Sequence, residues 1–272
     1  LVHRRQTGEK LVLVVGTSLT QAAFFKDARA KAVAADMGYP GISFLRIDQN
    51  GPLLVHRLVP LFNDILRAAP DAVLIEDQVL TWYRERREPG FLDAHRKFVL
   101  STLRSFFSAG TESRAFTDPH LDAELDWQDH FENFKRWSPA KQAQRMAALH
   151  SDEELYRLKM RRDDWSGCPG ELPDALSSFL EEARRRKIPV ALLDIVPSEP
   201  ARRVMPRRFV DCQERMNGLV GNRYDVPLLV SPQNMPLSHY MDYAHYNRDG
   251  RIAFTRWILP ELRRMLQQED RN

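Results

Sequence analysis

Strand-sized apolar runs that alternate with helix-patterned stretches constrain the fold of this chain more than any other feature. The run Leu11–Val15 is continuously apolar and ends in the small polar residues Gly16, Thr17 and Ser18, as a central parallel strand does where it enters a loop. Residues 20–37 follow with apolar side chains at helical spacings. The sequence therefore predicts an α/β fold, in which right-handed crossovers build a parallel sheet covered by helices on both faces.

The other predicted elements keep this alternation. The further strands are Ile42–Ile47, Ala72–Ile75, Ile188–Val196 and Val226–Val230, and the further helices are Leu53–Ala69, Leu92–Phe107, Leu172–Arg186 and Gly250–Gln267. Residues 111–170 lose the strand rhythm, and we predict an inserted, largely helical cap there. A chain of 272 residues lies within the range that one α/β domain fills, so we predict a single domain over 1–272.

Composition excludes several classes of protein. With 40 Lys and Arg against 37 Asp and Glu, the surface is nearly balanced, which does not predict a nucleic-acid partner. The longest apolar runs are far shorter than the roughly 18 residues that a membrane span needs. The chain begins at Leu1 without an initiator Met, so a removed signal or anchor stays open. Only Cys168 and Cys212 are present, which excludes a disulfide-dense scaffold but allows one disulfide in an oxidising compartment.

Three residues near the two ends of the chain form a candidate catalytic set. A serine hydroxyl is a poor nucleophile until an imidazole takes its proton, and a carboxylate must orient that imidazole. Ser18 follows the first predicted strand, while Asp242 and His245 lie three residues apart in one late loop. This spacing lets the carboxylate bind one ring nitrogen and leaves the other free to face the serine. Ser18 is thus a candidate nucleophile, His245 a candidate general base and Asp242 the residue that would orient it. The ordinary alternatives are a turn serine, a helix-capping aspartate and a surface or core histidine.

Two motifs resemble those of the GDSL/SGNH hydrolase superfamily. The segment Gly16–Leu19 resembles the GDSL block, and the late loop resembles the DxxH block with its following Asn and Gly, at Asp242, His245, Asn247 and Gly250. The order of the motifs along the chain is also similar to that of the family. The resemblance implies the SGNH-hydrolase fold, a three-layer α/β/α sandwich around a flavodoxin-like parallel sheet.

The resemblance also implies donors for an oxyanion hole. The Ser18 amide, where a loop runs into a helix, can point at a developing oxyanion. The second family block normally offers a glycine amide, and its nearest equivalents here are Gly51 and Asn50. The third block normally carries Gly-x-Asn-Asp after the third strand, whereas this chain has Glu76–Gln78. Gln78 is the candidate side-chain donor, and a plain loop glutamine is the alternative.

These residues predict an acyl ester hydrolase or acyltransferase with an acyl-Ser18 intermediate. Its expected substrate is an acyl ester or an acetylated carbohydrate, because variants with an altered third block resemble polysaccharide O-acetyltransferases as much as esterases. The alternative is a catalytically silent, SGNH-like glycan-binding domain, and a nucleotide-binding flavodoxin-like domain ranks last because no Gly-rich phosphate loop follows the first strand. We predict no cofactor and no metal, slightly favour a periplasmic or extracytoplasmic location, and leave the oligomeric state open.

Other clusters favour structural interpretations. Four residues in the predicted cap have side chains that can bind a metal ion: Asp118, His120, Asp126 and His130. We interpret them as solvated surface rather than as a metal site. Five aromatic residues of the predicted cap could line a groove for a carbohydrate or an acyl chain, but packing within the cap is the favoured interpretation: Trp127, Phe131, Phe134, Trp137 and Trp165. Arginine clusters at 184–187, 202–203 and 207–208 could attract anionic glycans, although solvated surface is the more ordinary role. His239 is a rival base that lacks a carboxylate at the family spacing.

Overall fold

A five-stranded parallel sheet forms the centre of the protein. The structure is a computed structural model that describes residues 9–25, 27–48, 62–67, 69–81, 168–242 and 244–269. The strands are β1 (Lys10–Gly16), β2 (Ile42–Asp48), β3 (Ala72–Glu76), β4 (Val190–Asp194) and β5 (Leu228–Val230). Their order across the sheet is β2-β1-β3-β4-β5, and every neighbouring pair is parallel. This is the flavodoxin-like order, which confirms the predicted fold class.

Helices cover both faces of this sheet. They are α1 (Ser18–Ala23), α2 (Asp27–Asp36), α3 (Phe62–Arg67), α4 (Gln78–Thr81), α5 (Asp174–Arg185), α6 (Glu199–Val204), α7 (Arg207–Tyr224) and α8 (Arg248–Glu269). Alternate residues of β1 face opposite sides, as strand geometry requires. Leu11, Leu13 and Val15 pack with α3, α5 and α7, whereas Val12 and Val14 pack with α1, α2 and α8. The molecule is therefore a three-layer α/β/α sandwich with two apolar cores.

The helix predicted over residues 20–37 is two helices in the structure. The first ends at Ala23, and Phe24 has extended backbone angles, φ −101° and ψ 140°. Phe24 and Phe25 are both buried. The extended backbone at Phe24 takes the chain out of the first helix, and the second helix begins only at Asp27, so Phe24 and Phe25 fill the core without belonging to a helix.

Two predicted strands are shorter in the structure than their apolar runs. The runs Ile188–Val196 and Val226–Val230 form strands only over Val190–Asp194 and Leu228–Val230. Each strand begins directly after a proline, Pro189 or Pro227, whose carbonyl accepts a ladder hydrogen bond. Proline has no amide hydrogen to donate to the ladder, so regular pairing starts one residue later.

Helices α6 and α7, between β4 and β5, were absent from the predicted elements. The apolar residues Phe209, Cys212, Met216 and Val220 of α7 follow a helical spacing and are all buried. That periodicity was the signal for this helix, and the charged residues around it concealed the pattern. Two predicted arginine clusters lie here, at the end of α6 and the start of α7.

Several predicted features lie outside the described residues or are only partly covered by them. The helix over Leu92–Phe107 and nearly all of the predicted cap are outside, and the helix over Leu53–Ala69 is described only at Phe62–Arg67. A disulfide joins Cys168 to Cys212 on α7. Within the described ranges, no helix combines the length and the apolar character needed to cross a bilayer.

Candidate active site

The turn between β1 and α1 presents the Ser18 side chain. β1 ends at Gly16, Thr17 caps the helix by accepting the Leu19 amide on its hydroxyl, and Ser18 is the first residue of α1. Ser18 is partly exposed, whereas Thr17 and Leu19 on either side of it are buried. A short connection from a buried strand to a helix thus brings one hydroxyl to the carboxyl edge of the sheet, where parallel sheets carry their sites.

A hairpin-like loop carries Asp242 and His245. Tyr240 and Tyr246 form an isolated antiparallel bridge. The Met241 amide donates to the His245 carbonyl at 2.8 Å, and the Asn247 amide donates to the His239 carbonyl at 2.9 Å. The aspartate and the histidine are therefore held at the closed end of a paired segment, which restricts their relative motion.

The Asp242 carboxylate is organised by four contacts. One oxygen, Oδ1, accepts the amides of Ala244 and His245, each at 2.8 Å. The His245 Nδ1 atom lies 2.8 Å from Oδ2 and 3.0 Å from Oδ1. Burial by itself raises the pKa of Asp242, but the His245 side chain and the two amides outweigh burial and lower that pKa to about 2. The carboxylate is consequently ionised at neutral pH and can only accept hydrogen bonds.

A continuous hydrogen-bonded chain runs from Asp242 to Ser18. Because Asp242 can only accept, the proton between it and His245 belongs to Nδ1. In the neutral imidazole, Nε2 is then an acceptor, and it lies 2.9 Å from the Ser18 Oγ atom. The serine hydroxyl donates into this bond. The arrangement allows His245 to take the proton of Ser18 as the oxygen attacks an electrophile.

Two buried tyrosines anchor the loop that carries Asp242 and His245 to the segment just after β4. The hydroxyls of Tyr240 and Tyr246 donate to the Val196 carbonyl, just beyond β4, at 3.1 and 3.2 Å. The Tyr246 hydroxyl also lies 3.1 Å from the Ser231 Oγ atom, which accepts the Val196 amide. Burial raises the pKa of Tyr246 to about 12 and raises the pKa of Tyr240 further. Both phenols thus stay protonated and keep donating across the physiological range.

Asn247 and Gly250 have structural roles that explain their places in the second motif. The Asn247 side chain accepts the Asp249 and Gly250 amides at 3.0 and 3.1 Å and so caps α8. Its Nδ2 atom donates to the Ser238 carbonyl at 2.6 Å. A Cβ atom on Gly250 would lie 2.1 Å from the His239 carbonyl oxygen, so only glycine permits this close approach.

Glu76, the last residue of β3, is a site residue that sequence reasoning missed. Its side chain is fully buried and accepts four hydrogen bonds from Thr17 and Thr20, on either side of Ser18 in the chain. An acidic residue that ends a fully buried apolar strand was the available signal, since an ionised side chain in that position requires partners.

The structure describes two of the four predicted oxyanion donors, Ser18 and Gln78. Asn50 and Gly51 lie outside the described residues. Gln78 begins α4 directly after β3, at the same edge of the sheet as Ser18, and its carbonyl accepts from the Thr81 hydroxyl at 3.0 Å. The amides of residues 17, 19, 20 and 21 are all engaged, so the Ser18 amide is the one in this turn that donates to no described residue. The roles of Ser18, Gln78, Asn50 and Gly51 as oxyanion donors stay predictions.

Of the two candidate bases, the structure directs His245 toward Ser18. The ring nitrogen Nδ1 of His239 is buried and has no hydrogen-bond partner within the described part of the chain. The candidate metal ligands and the aromatic cluster of the cap lie outside the described residues. Several arginines of the three clusters pair with acidic residues three or four positions away in the chain: Arg185 and Arg186 with Glu182, Arg203 with Glu199, and Arg207 with Asp211. This is the behaviour of solvated helix surfaces.

The described residues thus define a three-layer α/β protein that holds a hydrogen-bonded serine, histidine and aspartate at the carboxyl edge of its sheet. The chain is similar to a GDSL-like lipase from Bacteroides thetaiotaomicron, with 12% identity, coverage of 97% of this chain and 95% of that one, and a TM-score of 0.41. It is also similar to a lipase/acylhydrolase from Enterococcus faecalis, with 13% identity, 93% and 95% coverage, and a TM-score of 0.44.

A third similar structure is an acetyl xylan esterase from Geobacillus stearothermophilus, with 14% identity, 94% and 95% coverage, and a TM-score of 0.40. No protein-family model matches the chain. No curated protein matches it either.

Proposed function

We propose that this chain is an acyl ester hydrolase or acyltransferase of the GDSL/SGNH type, which works through an acyl-Ser18 intermediate. The observation that carries the proposal is the hydrogen-bonded chain from the Ser18 Oγ atom through His245 to the ionised Asp242. Each residue has the partner that its role requires: the nucleophile contacts the base, and the base contacts the carboxylate that orients it.

The reaction follows from this geometry. As the Ser18 oxygen attacks the ester carbonyl, its proton passes to His245 Nε2, and Asp242 stabilises the imidazolium that forms. The carbonyl oxygen becomes an oxyanion, for which the Ser18 amide is a candidate donor. The tetrahedral intermediate then expels the alcohol, which takes its proton from Nε2, and the acyl group remains on Ser18.

The second half of the reaction repeats these steps with a different nucleophile. A water molecule or a sugar hydroxyl attacks the acyl-Ser18 carbonyl while His245 accepts its proton, and Ser18 regains its own proton as it leaves. Water as acceptor produces hydrolysis, and a sugar hydroxyl produces transfer. We propose O-acetyl groups of a carbohydrate or a small ester as the substrate, because variants of the fold with an altered third block resemble polysaccharide O-acetyltransferases as much as esterases.

A catalytically silent glycan-binding domain fits the site less well than an enzyme does. A protein that only binds glycans has no need for the Ser18 hydroxyl to lie 2.9 Å from an imidazole that is oriented by a carboxylate at 2.8 Å. The oriented imidazole activates the hydroxyl, and activation serves bond formation rather than binding.

The proposal is tested by covalent labelling of the intact protein. A fluorophosphonate probe should form an adduct that mass spectrometry maps to Ser18, and Ser18→Ala should abolish the adduct while the circular dichroism spectrum is retained. Ser178→Ala, which alters an exposed serine on α5, is the matched control and should label like the wild type. Unchanged labelling in Ser18→Ala, or no labelling of the wild type, would overturn the proposal.

A second experiment separates hydrolysis from transfer. The protein is incubated with a chromogenic acetyl ester in the presence and absence of neutral oligosaccharides, and the chromophore and the acetylated sugar are both quantified. Acetate as the only acetyl product identifies a hydrolase, whereas acetylated sugar that depends on Ser18 identifies a transferase.

A further inference from the structure

The Glu76 carboxylate makes a dense set of contacts beneath the turn that carries Ser18. Oε2 accepts the Thr17 amide at 2.8 Å, the Thr20 amide at 3.1 Å and the Thr20 hydroxyl at 2.6 Å. Oε1 accepts the Thr17 hydroxyl at 2.6 Å. The side chains of Glu76 and Thr20 are completely buried, and Thr17 is 7% exposed. One carboxylate on β3 thus binds four donors of a turn that belongs to β1 and α1.

We propose that Glu76 is a positioning residue that holds the nucleophile turn in its reactive geometry. The inference rests on the function proposed above, because it assigns Glu76 a part in the acylation of Ser18. Glu76 does not touch the reacting atoms. It acts through Thr17 and Thr20, which bracket Ser18 and fix the direction of both the Ser18 Oγ atom and the Ser18 amide.

The pattern of donors explains why a carboxylate occupies this position. Four hydrogens point at two oxygens, and a carboxylate offers only acceptors, with about four lone-pair sites. A glutamine would replace one oxygen by an NH₂ group, whose hydrogens would face the Thr17 or Thr20 donors. Bonds to an ionised acceptor are also stronger than neutral ones in a buried setting, so the carboxylate holds the turn more firmly than an amide can.

Gly16 is part of the same arrangement. A Cβ atom at this position would lie 1.8 Å from the Thr20 Oγ1 atom and 2.6 Å from the Glu76 Oε2 atom. The carboxylate and the Thr20 hydroxyl therefore occupy the space that any side chain at residue 16 would need. The glycine of the first motif provides the room in which Glu76 reaches the turn.

The hydrogen bonds of Glu76 also determine which backbone amide near Ser18 stays available to an oxyanion. The Thr17 and Thr20 amides donate to Glu76, and the Leu19 amide donates to the Thr17 hydroxyl. Loss of the carboxylate would release two amides and two hydroxyls, which would then compete for any oxyanion or water near Ser18. The preorganisation that stabilises an oxyanion depends on donors that do not need to reorient during the reaction.

The primary test compares Glu76→Gln with the wild type in two measurements. One is the rate at which a fluorophosphonate labels Ser18, and the other is kcat and KM for a chromogenic acetyl ester. We expect kcat and the labelling rate to fall by about 10-fold or more, with KM changed by less than about twofold, because small displacements of a nucleophile reduce the rate steeply. Asp71→Asn is the matched control and should leave kcat unchanged, since the Asp71 carboxylate accepts the Leu11 amide at the opposite edge of the sheet.

A second set of variants keeps the proposal testable if Glu76→Gln does not fold. Thr20→Val removes one hydroxyl donor and retains the shape of the side chain, whereas Thr20→Ser retains the hydroxyl. We expect Thr20→Val to lower kcat by about threefold to tenfold and Thr20→Ser to restore most of it. Ser43→Ala, which removes a buried hydroxyl contact to Glu9 near the start of β2, at the opposite edge of the sheet, is the control and should leave kcat unchanged.

The outcomes distinguish this inference from the function on which it rests. If the wild type is not labelled at Ser18, the proposed function fails. If the wild type is labelled and a folded Glu76→Gln protein reacts at the same rate, the positioning role is overturned and the proposed function stands. Equal kcat values for Thr20→Val and Thr20→Ser would also overturn the positioning role.

Discussion

At the scale of single residues, three carboxyl groups near the sheet edge are in different states because their surroundings differ. Asp242 accepts two amides and an imidazole, and its pKa is about 2. Asp194, at the end of β4, has no such set of donors among the described residues, and burial followed by the charge of Glu76 raises its pKa to about 6, with Arg202 opposing. Burial and then the charge of Asp194 raise the pKa of Asp77 well above its ordinary value. Of these three carboxyl groups, the one whose pKa is lowered by its donors is the one assigned to the mechanism.

Asp242→Asn should lower kcat by about 10³-fold to 10⁴-fold with the fold retained. The amide can donate to His245 Nδ1 and so stabilises the imidazole tautomer whose Nε2 carries hydrogen and cannot accept the Ser18 proton. Steady-state kinetics measure the loss, and Asp36→Asn, on the exposed surface of α2, is a control that should leave kcat unchanged. A loss below about tenfold would contradict the assigned role of Asp242.

The pH dependence of stability should also report Asp242. Its pKa in the folded protein, about 2, lies below the ordinary value of 3.8, so its stabilising contribution is present above pH 3.8 and is lost as the pH falls through about 2. In chemical denaturation, Asp242→Asn should therefore be less stable than the wild type at pH 5, and the difference should shrink as the pH is lowered toward 2. A stability difference that grows on acidification would contradict the lowered pKa of Asp242.

Asp194→Asn should stabilise the protein at neutral and alkaline pH. The pKa of Asp194 is about 6 in the folded state and 3.8 without the shift, so its contribution favours folding below pH 3.8 and is lost as the pH rises through 6. The free energy of unfolding of the variant minus that of the wild type should be about 1–2 kcal/mol larger at pH 8 than at pH 4. Chemical denaturation at both pH values measures this, and an equal difference at the two would contradict it.

At the scale of elements, the helix after the loop and the loop itself form one unit. Asn247 caps α8 and also donates to the Ser238 carbonyl within the segment that leads to Asp242. Gly250 lets the first turn of α8 contact the His239 carbonyl directly. The position of His245 therefore depends on a helix start that packs against the loop, and changes in this helix start should affect kcat as well as stability.

Two glycine-to-alanine changes in helices should have opposite effects. At Gly250, the new Cβ would lie 2.1 Å from the His239 carbonyl oxygen, so the backbone must move and we expect a loss of about 2 kcal/mol together with a lower kcat. At Gly218 on α7, nothing in the described part of the chain apart from the neighbouring helix backbone lies within 4 Å of the new Cβ, and alanine should stabilise by up to about 1 kcal/mol. Thermal denaturation and kinetics of both variants measure the contrast, and similar effects at both positions would contradict it.

At the scale of the whole molecule, the two ends of the chain meet around the nucleophile. Ser18 and His245 are 227 residues apart in sequence and 2.9 Å apart in space. The Arg251 side chain of α8 donates to the Ala22 carbonyl at 2.8 Å, and Arg46 of β2 donates to the Phe24 carbonyl at 3.0 Å. Carbonyl groups at the end of α1 are thus satisfied by side chains from a distant helix and a neighbouring strand, which ties the nucleophile helix to the rest of the fold.

The disulfide should stabilise the whole fold. It joins Cys168 to Cys212 across 44 residues of sequence, and a crosslink of that span restricts the unfolded chain by about 4 kcal/mol in the loop-entropy model. Reduction should therefore lower the free energy of unfolding by about 2–4 kcal/mol. Denaturation with and without reductant measures the effect. The Cys168→Ser/Cys212→Ser variant should be less stable and insensitive to reductant, and equal sensitivity in both proteins would contradict the prediction.

Local patterns in the sequence were enough to predict the class of fold, and the resemblance of two motifs to a known family was needed to predict the residues of the proposed triad. Continuous apolar runs such as Leu11–Val15 are typical of strands that are buried on both faces, and their alternation with helical stretches favours a parallel sheet between helices. The spacing of Asp242 and His245 allows their contact within one loop, so no distant information was needed. The catalytic role of the three residues stays a prediction.

The tertiary structure decided the contacts between distant parts of the chain. Glu76 was visible in the sequence only as an acidic residue after a buried strand, because its donors on Thr17 and Thr20 lie 59 and 56 residues away. Those residues meet because β3 pairs with β1, and strand order is a property of the whole sheet rather than of any segment. The break at Phe24 and the anchoring of the loop on Val196 likewise depend on packing. Local sequence determines what each side chain can do, and the arrangement of strands determines which partner it finds.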